Sequence, residues 1–320
     1  MPGTDFAESL RIVLGELPDL PHLPELPARG PGAGLTGRTL ALTTEVGADL
    51  QPAGWRLTDA PGVDQRRARS LLGQDLDVVE EMCQGFTGTF KVQVCGPWTL
   101  AATVERPRGD RVLADRGARR DLAQALAEGV AAHLADVRRR LPGAELVVQV
   151  DEPGLPAVLA GAVPTASGFQ RHRSVEAPEA SAALEWVFAS ASKVGATSVA
   201  HCCARDTPVE LLAGAGAEGI SVDLEALADD AHGAVGAVLE RGGSAYLGVV
   251  PTAAPTATDA AAVTDAALTD QVLAFLDRLG LDPGEHGDRL VITPTCGLAG
   301  AAPAWARRAL ELCSTVAGHI

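Results

Sequence analysis

From Phe90 onward, six short β-rich runs alternate with Ala- and Leu-rich segments, and this alternation restricts the fold more than any other feature of the chain. The runs occupy 90–97, 145–153, 197–203, 219–224, 245–251 and 289–297. Their near-continuous Val, Ile and Leu content predicts strands buried on both faces. Between them, "RRDLAQALAEGVAAHLADVRRRL", "SAALEWVFASASKVG" and "LTDQVLAFLDRLGL" repeat apolar residues at helical spacing. Strand and helix in alternation predict a parallel sheet with helical crossovers. With an N-terminal portion ahead of the first run, the pattern fits an α/β (β/α)8 TIM barrel better than an open sheet. A chain of 320 residues, 47% of them hydrophobic, is expected to form a single domain over 1–320. Residues 90–320 are its well-marked part and 1–89 its poorly marked part.

The N-terminal portion reads as a helix over 5–17, with Asp5 near its start, followed by a Pro-rich stretch over 18–34 that is mostly loop with room for a short strand. A barrel chain that begins with a helix lacks the strand before it, so the first strand is expected to be missing or truncated. The net charge of −15 argues against a face that pairs broadly with nucleic-acid phosphates and leaves a small molecule as the expected partner. Nothing approaches the apolar length of a membrane span, which makes the cytoplasm the expected location. Six cysteines are too sparse for a disulfide scaffold, and grouped Cys and His in a reducing compartment point to metal or catalysis.

Five of the six runs end in polar or reactive groups: Cys95-Gly96-Pro97, Asp151-Glu152-Pro153, His201-Cys202-Cys203, Asp223 and Cys296-Gly297. In a parallel barrel those ends open on one rim, where residues distant in sequence converge. Side chains on a strand alternate, so His201 and Cys203 share a face while Cys202 points away. One imidazole and the thiolates of Cys203 and Cys296 suit zinc, with Asp223 as a candidate fourth ligand. The plainer alternatives are the end of a buried strand for "HCC" and a turn cap for Asp223. The acidic pair Asp151 and Glu152 either starts a turn or supplies a carboxylate for a substrate ammonium group. Cys83, Cys95 and Cys313 are expected to pack as small hydrophobes. His133, His172, His232, His286 and His319 are expected on the solvated surface. No phosphate loop, nucleophile elbow or dinucleotide fingerprint competes with this constellation.

Taken in order, "VQVCGPWTLA", "VVQVDEPGLP", "AHCCARD", "GISVDL" and "ITPTCGLAGA" resemble the C-terminal catalytic barrel of cobalamin-independent methionine synthase, within a superfamily shared with the uroporphyrinogen decarboxylases. The resemblance implies a zinc-dependent methyltransferase that makes methionine from homocysteine, with a methyl-folate or a methylated corrinoid protein as donor. It places the zinc ligands on His201, Cys203 and Cys296. Asp223 stands where the family carries a Glu. The family's aspartate for the homocysteine amine falls on Asp151, with Glu152 beside it and Glu25 as a candidate second carboxylate. The chain matches the short, single-barrel form. Its "MPGTD" start falls where the family's first-strand Gly-Ser-x-Pro segment would end, so the true start is expected upstream.

Two other readings stay open on the sequence. A corrinoid-dependent transfer to another thiol, such as a coenzyme-M-like acceptor, would have no need for an amine-binding Asp151. A catalytically silent barrel would bind zinc without turnover.

Overall fold

The computed structural model describes residues 1–256 and 263–320. Its centre is a parallel sheet of six strands that pair in sequence order. They follow a short antiparallel hairpin of β1 (Gly47–Gln51) and β2 (Gly54–Thr58), and comprise β3 (Thr89–Cys95), β4 (Glu145–Asp151), β5 (Thr197–Cys202), β6 (Gly219–Asp223), β7 (Ser244–Val250) and β8 (Leu290–Pro294). Long helices fill the crossovers, including Arg116–Arg140, Ala177–Lys193 and Asp265–Leu279, and Pro303–Ala317 closes the chain. Asp115 and Thr264 cap two of these helices by accepting backbone N–H bonds from Ala118 and Ala267.

The expected eight-stranded barrel is met in part. Six of its strands lie in one sheet, and the N-terminal portion adds an extended contact rather than a full strand. Lys91 N donates to Pro21 O and Leu23 N to Lys91 O, both at 2.9 Å, so the Pro-rich segment makes a parallel bridge at His22 on the free edge of β3. Proline at 18 and 21 limits how far such pairing can run, because it brings no N–H to the ladder. Among the described residues, no strand pairs with the outer edge of β8. The N-terminal helix forms as expected, over Phe6–Glu16, with Asp5 accepting from Glu8 N.

Strand register decides which residues meet. Cys95 lies opposite Asp151, Asp151 opposite His201, and His201 opposite Ser221. Side chains alternate with period two, so Lys91, Gln93, Gln149, Asp151, Val199, His201, Ser221 and Tyr246 all point to one face of the sheet. The opposite face packs against the helices in one hydrophobic core that runs from Phe6 to Val316. The first face keeps only a small apolar floor, Val147, Val199 and Tyr246, backed by Leu20 and Val291. Between β7 and β8 the register shifts at Gly248, where a Cβ would come within 2.7 Å of Val222 O and 2.9 Å of Thr295 Cα. That close approach leads the chain out of β8 toward Cys296.

Two of the histidines expected at the surface are buried instead. His133 lies inside the helix Arg116–Arg140, where burial pushes its pKa down to about 4. His172 is buried 3.2 Å from Asp110. Helical and loop positions alone do not reveal which side faces in. Among the described residues, no helix is long and apolar enough to cross a membrane.

Candidate active site

Above the apolar floor, the polar face of the sheet lines a cavity of about 600 Å³. Its wall includes Glu25, Lys91, Gln149, Asp151, His201, Cys203, Ser221 and Cys296. Five of these eight come from strands, whose ladders fix their height and direction. Cys203 and Cys296 follow directly from β5 and from the turn after β8.

The reactive cluster stands at the strand ends. One ligand-capable atom each from His201, Cys203 and Cys296 lies within 4.8 Å of the others. The two sulfurs are 3.4 Å apart. Cys203 and His201 hold the thiol of Cys296 well below its ordinary value, at about 4, and the same bond raises that of Cys203. Burial works against the charged form of His201, yet contact with Cys296 and the charge of Asp151 keep its pKa raised. Two soft thiols and an imidazole converging at such distances form a donor set suited to a zinc-like ion.

Ser221 completes the cluster from behind. Its Oγ lies 2.9 Å from His201 Nδ1 and is buried. With Nδ1 engaged, Nε2 is the nitrogen free to bind a metal, which is how a hydroxyl or carbonyl partner orients a ligating histidine.

Asp151 sits one strand away. It accepts from Gln149 Nε2 at 2.7 Å, and burial pushes its pKa up to about 6. Glu25 reaches the same cavity from the Pro-rich segment and lies 3.3 Å from Arg38 Nε, while Arg38 Nη1 approaches Asp75 at 3.4 Å. The structure therefore brings Glu25 and Asp151 into one cavity with the cluster.

Two expected site residues are placed elsewhere. Glu152 is fully buried and turned away from the cavity: its carboxylate accepts from Trp98 N at 2.9 Å, Thr99 N at 2.8 Å and Thr99 Oγ1 at 2.7 Å. It holds the start of the helix Pro97–Thr103, and any Cβ at Gly96 would meet its side chain at 2.3 Å. The physical reason is parity, since the residue after Asp151 must face the other way. Asp223 spends Oδ1 on the backbone N–H groups of Glu225 and Ala226, at 3.2 and 3.1 Å, and stands outside the three-residue cluster. It acts here as a turn cap.

Lys91, Gln149 and Ser221 were missed as site residues. The signal was a polar side chain at an inward position of an otherwise apolar strand. A second cavity, about 590 Å³, lies against Trp98, Arg119, Glu179 and Trp186. Arg119 is paired with Glu179 at 2.9 Å, and the reactive cluster is not part of that wall.

Comparisons with known proteins agree with this architecture. The B12-independent methionine synthase from Shewanella sp. W3-18-1, in complex with selenomethionine, superposes with a TM-score of 0.58 at 13% identity, covering 98% of this chain and 87% of that one. At that identity the likeness concerns the fold. An uncharacterized protein matches at 13% identity over 79% of this chain and 67% of its own, with a TM-score of 0.32 too low to bear on the fold. No protein of curated function matches the sequence. The model of the cobalamin-independent synthase catalytic domain matches residues 78–319, a span that contains every strand of the parallel sheet and the whole His/Cys cluster. On that match, the chain belongs to the cobalamin-independent synthase catalytic-domain family.

Proposed function

We propose that the chain is a zinc-dependent methyltransferase that methylates the thiol of homocysteine to give methionine. The convergence of His201, Cys203 and Cys296 within 4.8 Å, one strand from the buried Asp151, carries this reading. Three protein ligands is the number that catalytic zinc sites keep, with a further position for substrate. Zinc, when bound, lowers the pKa of a thiol ligated to it and so supplies a nucleophilic sulfur at neutral pH.

The protein's own residues perform the rest. Ser221 holds the ring of His201 through Nδ1. Asp151 accepts the substrate ammonium, with Glu25 as the second carboxylate, and their bonds hold the sulfur toward the cluster. In the transfer, the sulfur attacks the donor methyl carbon, an S–C bond forms, and the bond from that carbon to the donor nitrogen breaks. Its electron pair stays on the nitrogen, which takes up a proton.

Membership in a cobalamin-independent family favours a methyl-folate donor. A corrinoid protein as donor, open on the sequence alone, finds no support there. The selenomethionine bound to the Shewanella protein is consistent with a site of this kind taking a methionine-like product.

Zinc content of purified wild-type protein and Cys296→Ser, with zinc K-edge absorption before and after homocysteine, tests the reading. About one zinc per chain, largely lost in the variant, and a sulfur ligand gained with homocysteine are expected. Absence of stoichiometric zinc from protein purified without chelators overturns it.

A further inference from the structure

Below the reactive cluster, the cavity holds a cation that the proposed chemistry leaves unused. Lys91 rises from the apolar floor, where its register partner is Val147. Its Nζ donates to Gln149 Oε1 at 3.1 Å, and the other end of that amide, Nε2, donates to Asp151 Oδ1 at 2.7 Å. An ammonium and a carboxylate thus face the same cavity with a single carboxamide between them. None of the ion pairs among the described residues includes Lys91, and its described hydrogen bond goes to a neutral partner. A lysine ammonium offers three donors, so two remain for a ligand.

This arrangement sorts charge along the cavity. Asp151 and Glu25 favour a cation, while Lys91 favours an anion at the floor. A charged group held out of bulk water with only a neutral partner is costly, and a ligand of opposite charge relieves that cost. A zwitterion suits all three groups at once and leaves the summed charge of the cavity unchanged. An anionic thiol without an ammonium would leave the carboxylates facing it.

We infer that Lys91 is the carboxylate-recognition group of the cavity, so that its ligand is an α-amino acid bound through three points: sulfur at the His201, Cys203 and Cys296 cluster, ammonium at Asp151, carboxylate at Lys91. The inference rests on the proposed amino-acid thiol substrate and adds the group that reads its carboxylate. Val147, Val199 and Tyr246 pack together beneath Lys91, backed by Leu20 and Val291.

Calorimetric binding of L-homocysteine and of 3-aminopropanethiol, which is homocysteine without its carboxylate, to the zinc-loaded protein tests this directly. Wild type is expected to prefer homocysteine by about 10- to 100-fold, the usual contribution of a charge-assisted hydrogen bond. Lys91→Met is expected to retain its zinc and to bind the two thiols within about threefold of each other. Equal binding of both thiols by wild type overturns the assignment and leaves the thiol-activation reading standing, whatever the stability of the variant. A preference that survives in Lys91→Met also overturns it, because another group must then read the carboxylate. A zinc-loaded wild type that binds neither thiol removes the amino-acid reading and this inference together.

Discussion

The two faces of the parallel sheet treat identical chemistry in opposite ways. Asp151 and Glu152 are neighbours, both buried carboxylates, yet one opens on the cavity and the other is saturated by backbone and hydroxyl donors of the helix Pro97–Thr103. Cys202 and Cys203 repeat the contrast: Cys202 is fully buried in the helix-side core and Cys203 lies 3.4 Å from Cys296. Alternation of the strand separates structural from chemical residues at adjacent positions. A group whose bonding capacity is spent on its own fold stabilises that fold, and one that keeps capacity facing a cavity can act on a ligand.

Exchanging the paired cysteines is the sharpest way to break the comparison. Cys203→Ser is expected to lower zinc affinity at least about a hundredfold by competition with a chromophoric chelator, whereas Cys202→Ala leaves affinity unchanged and costs about 1 kcal/mol of stability. Equal zinc loss in both would erase the distinction between the faces.

The carboxylate pair separates by pH. Burial raises Glu152 to about 7 from an ordinary 4.5, so the folded state binds its proton more tightly than the unfolded chain. Its contribution is therefore fully present below about pH 4.5 and is lost as pH rises toward 7. Thermal unfolding of the metal-free protein across that window is expected to show a fall of roughly 2–3 kcal/mol. Glu152→Gln should flatten the profile, because an amide does not change its protonation across that window. An unchanged slope in the variant would remove Glu152 from the account.

Asp151→Asn is expected to weaken homocysteine binding about 10- to 100-fold with zinc content unchanged. A loss of zinc instead would mean that Asp151 supports the cluster rather than the substrate. The smallest effect belongs to Ser221→Ala, expected to cost about tenfold in zinc affinity, with Ser221→Thr restoring most of it. No change in Ser221→Ala would show that the His201 ring is held by strand geometry alone.

Much of this was legible in the sequence because buried parallel strands announce themselves. The six runs of Val, Ile and Leu coincide with β3 to β8, and the rule that reactive residues cluster at their ends led to His201, Cys203 and Cys296. The N-terminal portion was opaque for the opposite reason. The hairpin Gly47–Gln51 and Gly54–Thr58 buries little beyond Ala48 and Trp55, and its turn passes through Gly54 at a φ of 126°, so no hydrophobic alternation marks it. Asp223 was a sound ligand candidate by type and position, but hydrogen bonds to the turn it begins cannot be read from composition. Lys91 and Gln149 carry no signal of their own in the sequence, since a polar residue inside an apolar run gains meaning once its neighbours across the ladder are known.

The ladder that assembles the cluster also sets where this chain tolerates changes in length. The helical crossovers can gain or lose residues without moving a ligand, because His201, Cys203 and Cys296 stand on β5 and on the short segments that directly follow β5 and β8. A single residue inserted into β4 or β5 would turn Asp151 or His201 toward the helices and bring an apolar neighbour to the cavity. Lineages that keep this chemistry are thus expected to vary freely in crossover length, while the spacing from Val147 to Asp151 and from Val199 to Cys203 stays fixed.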